Sequence, residues 1–132
     1  MNFLKSLFGV KKEPAKQSTD DDTWQTLAVK EICISMIRQI PQEWDSAFLL
    51  LEPTEKSIGS GLTHSAITRL RPADFAIPST DFVMPDADVF AATRVLELGW
   101  KARHSTFQRA IIMATRDGES WNIQSEYEHE NR

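Results

Sequence analysis

The segment from Arg109 to Glu128 constrains the fold more than any other, because two strand-like runs flank the turn Arg116-Asp-Gly-Glu119. Asp117-Gly118 is a dipeptide that tight hairpins prefer, since glycine takes positive φ without steric cost and aspartate tolerates it better than most. In the second run Trp121, Ile123, Ser125 and Tyr127 fall on one face, and Asn122, Gln124, Glu126 and Glu128 on the other. Such alternation describes a strand with one dry face and one wet face, and the wet face is largely acidic. These residues imply a fold class and a charged surface, but no activity.

The rest of the chain must supply the layer that covers the dry face. At 132 residues and 41% hydrophobic content, the sequence suits one globular domain that buries most of the surface its unfolded form exposes. Of the net charge of −4, residues 1–16 carry +3 (Lys5, Lys11, Lys12 and Lys16 against Glu13), which leaves −7 for the remainder. An acidic body repels nucleic acid and favours cationic partners. Cys33 is the single cysteine. Without an internal disulfide or a recognisable secretory signal, a reducing cytoplasm is the expected compartment. The longest apolar runs are far too short to span a bilayer.

Residues 1–19 are expected to form an amphipathic leader and a flexible linker, and residues 20–132 a single α+β domain. In the leader, Phe3, Leu4, Leu7 and Phe8 fall on one side of a short helix followed by Lys11 and Lys12. This pattern resembles an interfacial anchor of at most marginal, reversible affinity for the inner membrane face; the bland alternative is a frayed tail. Asp20-Asp21-Asp22 suits the start of a first long helix. There Val29, Ile32, Cys33, Met36, Ile37 and Ile40 recur at helical spacing, with Glu31, Ser35 and Arg38 opposite, until Pro41 stops it. Trp24 lies off that stripe, exposed or packed under a neighbouring segment.

Trp44 to Leu51 reads as a central strand and Leu62 to Leu70 as a second. Pro72 to Pro85 has no sustained period and reads as an irregular connection. Asp86 and Asp88 then introduce a helix from Val89 to Arg103. Its stripe of Val89, Ala92, Leu96 and Trp100 is widened by Val95, Leu98 and Ala102, so the helix is either deeply packed or shared with another chain, which leaves a homodimer open. The order helix, two strands, helix, two strands predicts a mainly antiparallel four-stranded sheet with two long helices packed on one face.

Chemistry-bearing patterns are sparse. His64, His104 and His129 have no metal-ligand spacing, so no metal site is expected. Cys33 sits in a buried stripe and reads as a small core hydrophobe. Gly59-Ser60-Gly61 lacks the context of a phosphate-binding loop, and no cofactor motif is present. A hydrolase using His64 with Asp74 or Asp81 would lack a recognisably paired nucleophile. Glu126, Glu128 and Glu130 share one face of the last strand and its extension and fit a binding surface better than an active site.

The run Ile32 to Glu52, with Ile40-Pro-Gln-Glu-Trp44 leading from helix to strand, resembles the opening of YezG-like bacterial immunity proteins. The later helix rich in Leu and Trp, followed by a hairpin whose last strand carries Trp121 and Tyr127, is also similar to that family. The resemblance spans residues 24–128. Tyr127 as the only tyrosine, the Phe-Leu-Lys-Ser-Leu-Phe leader and the proline-rich middle loop depart from it. It implies a cytoplasmic antitoxin, not an enzyme, that binds and neutralises a cognate toxin domain such as a basic nuclease. Candidate contacts are Glu119, Glu126, Glu128 and Glu130, with Trp24 as an aromatic anchor. The competing expectation is a membrane-peripheral interaction module tethered by Phe3, Leu4, Leu7, Phe8, Lys11 and Lys12.

Overall fold

The computed structural model describes residues 20–54, 61–78, 80–103 and 109–128; the leader and Glu130 lie outside this set. Helix α1 spans Asp20–Gln39 and begins at the acidic run, ending one residue before Ile40-Pro41. It buries Val29, Ile32, Cys33, Met36 and Ile40, the spacing expected. Ser35 is buried as well, contrary to its predicted place on the solvent side. Strand β1 (Ser46–Pro53) follows after a tight turn in which Trp44 N–H donates to Pro41 O at 3.1 Å.

β1 pairs on one side with β5 (Arg109–Asp117), and β5 pairs with β6 (Ser120–Glu128), all antiparallel. On its other side β1 pairs with two short pieces, β2 (Leu62–His64) and β3 (Ile67–Thr68), and β3 pairs with β4 (Phe82–Val83). The sheet therefore has six strands, in the order β4-β3-β1-β5-β6 with β2 also on β1, and not four. Ser65 explains part of the difference. Its N–H donates to Leu50 O, and its side-chain Oγ accepts from Leu50 N–H, each at 3.0 Å. A hydroxyl thus replaces a ladder carbonyl and breaks one strand into two. The remaining strand, β4, comes from the proline-rich connection, where no periodicity announced it.

The hairpin turn is shifted by one residue from the expected Asp-Gly pair. Asp117 pairs with Ser120, so Gly118 and Glu119 form the two-residue loop. Gly118 has φ 68°, whereas Glu119 does not share its positive φ, the pattern of a type II′ turn.

Helix α2 (Ala87–Ala102) starts at the N-cap Asp86, whose carboxylate accepts from Val89 N–H at 3.1 Å. It runs antiparallel to α1: Trp24 meets Gly99 at one end, and at the other Gln39 donates to Met84 O (2.7 Å) and accepts from Asp86 N–H (2.9 Å). Both helices share one core with Ala47, Leu49, Leu51, Ala110, Ile112, Ala114 and Trp121 of the sheet. The buried side of α2 is Val89, Thr93, Leu96, Glu97 and Trp100; Val95, Leu98 and Ala102, predicted to widen it, face out. On the opposite sheet face a smaller cluster of Leu50, Ile111 and Met113 packs with Phe48 and with Phe75 from the irregular connection.

Candidate functional site

The register of the last hairpin decides what the acidic row faces. Ile111 stands opposite Glu126 and Arg109 opposite Glu128, so Asn122, Gln124, Glu126 and Glu128 line the sheet face away from the helices, as alternation required. Phe75 lies over this face, with the Arg109 guanidinium 5.9 Å from its ring. Arg109 also donates to Ala73 O at 3.4 Å. Arg71 donates to Glu126 at 2.5 Å, which holds its guanidinium above its ordinary pKa, and its other nitrogen reaches Met113 Sδ at 3.4 Å. The segment from Arg71 to Phe75 is thus a strap across this face, and beside it lies a cleft of about 290 Å³ whose lining includes Leu70, Arg71, Pro72, Asp74, Pro78 and Asp81.

The acidic row is therefore a strip of alternating sign. Glu126 is exposed but ion-paired, Glu128 is exposed across from a cation, and Glu119 projects at the hairpin tip with neither. Glu130 lies outside the described residues, as do Phe3, Leu4, Leu7, Phe8, Lys11 and Lys12 of the leader. Trp24 is half-buried, its ring against Gly99 of α2 and under the Arg103 guanidinium at 4.4 Å. Trp24 thus belongs to the helix pair and not to the acidic strip.

A second polar cluster lies between β2 and α2. His64 Nε2 is 2.7 Å from Thr93 Oγ1 and Nδ1 is 3.2 Å from Leu62 O, while Phe90 meets the ring edge-on at a centroid distance of 4.6 Å. Burial lowers the His64 pKa, opposed by the Leu62 carbonyl and then by the Glu97 carboxylate. Glu97, only 2% exposed, accepts from Gly61 N–H and from Arg94, each at 2.8 Å. Neither Asp74 nor Asp81 partners His64. Asp74 caps its own loop by accepting from Ala76 N–H at 2.9 Å, and Asp81 sits 3.9 Å from Arg69. The histidine–carboxylate pair considered for a hydrolase is not formed.

Comparison with protein-family models and with curated proteins finds no match.

The functional weight therefore rests on geometry. Arg71 carries no sequence signal of its place on the strip, because the irregular connection gives no register for locating it, whereas the hairpin register already sets Arg109 across from a carboxylate of the row. Glu97 was more legible: a carboxylate one position after Leu96 on a helix stripe is buried only when it has partners. Cys33 is fully buried, its Sγ 3.5 Å from Met113 O, and burial pushes its thiol pKa far up, which suits a core residue and not a nucleophile.

Proposed function

We propose that this chain is an immunity protein that binds and neutralises a cognate toxin domain in the cytoplasm by stoichiometric occlusion, without turnover of its own. The observation that carries the reading is the outward face of β6, where Gln124, Glu126 and Glu128 are exposed on a regular strand with Glu119 beyond them. A rigid strand presents carboxylates at fixed spacing to a cationic cleft at little entropic cost, and the acidic body adds long-range attraction. Arg71 and Arg109 refine the charge argument. Arg71 holds Glu126 in place before binding, so the toxin's cations must compete with it there, whereas Arg109, turned to Ala73 O and the Phe75 ring, stands across from Glu128 without an ion pair to it. Glu119 meets the partner without such competition.

Charge reversal separates these contributions. Against a toxin domain that the wild-type chain binds, Glu119→Lys should slow association and flatten its dependence on ionic strength. Glu126→Lys should do so with an added loss in residence time, because Arg71 then loses its partner. The thermal midpoint should stay nearly unchanged, since exposed ion pairs contribute ~0–1 kcal/mol. Unaltered association kinetics in both variants would remove this face from the binding surface.

A further inference from the structure

The outer side of α2 is apolar in a pattern that the core does not use. Val95 and Leu98 are 59% and 45% exposed, and Ala91 and Ala102 are exposed one turn to either side. The positions 91, 95, 98 and 102 are spaced four, three and four apart, the spacing that keeps a narrow seam along one side of a helix for contact with another helix. No charged residue falls within this seam, although Arg94 and Lys101 border it. Leu27 of the antiparallel α1, one turn from Trp24, is also 49% exposed.

The geometry points to a second copy of this chain as the occupant, with α2 packed antiparallel on α2 across a two-fold axis between Val95 and Leu98. That axis sets each Val95 beside the other copy's Leu98 and each Ala91 beside the other copy's Ala102, so small residues meet at the ends and large ones in the middle. Charge agrees with this direction. Asp88, exposed and in line with the seam at its N-terminal end, approaches the C-terminal turn of the other helix, where Lys101 is exposed. Opposed helix dipoles favour the same direction. One helix pair is a small interface, below ~1,200 Å² in total, so the dimer forms reversibly and depends on concentration. The seam lies on the helix layer, apart from the acidic strip on the opposite sheet face, so this inference does not depend on the toxin reading.

Sedimentation velocity on the full chain over a concentration series provides the test. The wild type should shift from monomer to dimer, and Val95→Asp and Leu98→Asp should each raise the dimer dissociation constant at least about tenfold. Direction is read from single-cysteine variants, since Cys33 is buried. Ala91→Cys and Ala102→Cys should each remain largely uncrosslinked alone, and a mixture should form a disulfide-linked pair. That mixing result also decides the matter if the aspartate variants fail to fold. A wild type that stays monomeric at every concentration, or a dimer unaffected by Val95→Asp, would overturn the proposal. So would a monomeric wild type that dimerises only after Phe3→Ser and Leu7→Ser, because the leader would then be the occupant of the seam.

Discussion

His64 faces two groups that both favour a donor. Thr93 Oγ1 donates its own proton to Phe90 O at 3.1 Å, which leaves its lone pair to accept from Nε2, while Leu62 O faces Nδ1. A neutral ring has one N–H and satisfies one of these; the imidazolium satisfies both, yet burial disfavours its charge. Burial prevails, so the folded pKa lies below the ordinary 6.5. Between that lowered value and 6.5 the folded protein binds fewer protons than the unfolded chain. The stability associated with neutral His64 is therefore fully present above pH 6.5 and is lost as pH falls through this window. The urea midpoint should decline on acidification below about 6.5, with a slope no steeper than about 1.4 kcal/mol per pH unit for one proton. His64→Gln should flatten that portion of the curve; an unchanged profile would mean that the ring titrates alike in both states.

At the scale of elements, the helix pair depends on one close approach. A Cβ at Gly99 would collide with the Trp24 ring, so the two helices reach their spacing only because that position lacks a side chain. Gly99→Ala should cost about 1–3 kcal/mol by overpacking despite the better helix propensity of alanine. Trp24→Leu should remove most of that penalty, and a double-mutant cycle by chemical denaturation measures the coupling. The sequence announced both helices and the hairpin through sustained periods of 3.6 and 2, and the central strand through its nearly uninterrupted apolar run from Ala47 to Leu51. It did not announce the split at Ser65, where a hydroxyl entered the ladder, or β4, which is two residues long. The acidic face of β6 was legible as a pattern, but the arginine that pairs with it was not: Arg71 arrives through a loop whose path is set by Phe75 packing on Leu50, Ile111 and Met113. Trp24 was legible as lying off the main stripe, and its covering by Arg103 depends on where α2 ends.

Over the whole molecule, the two layers divide the work. One sheet face and both helices form the large core, whereas the other face carries the smaller cluster, the strap and the charged strip. Because no periodic element covers that second face among the described residues, a partner can approach β6 without displacing a helix. Among those residues no helix is long and apolar enough to cross a membrane. Cys33 sits at the centre of this arrangement, on α1 and against the carbonyl of Met113 in β5, with 0% exposure. As the only thiol in the chain, it gives the protein an internal stopwatch. A thiol reagent cannot reach the sulfur until helix and sheet separate, so the labelling rate should track the population of that open form. Each 1.4 kcal/mol gained by ligand or partner binding should slow labelling about tenfold, so a sulfur atom that takes no part in recognition can record when recognition has occurred.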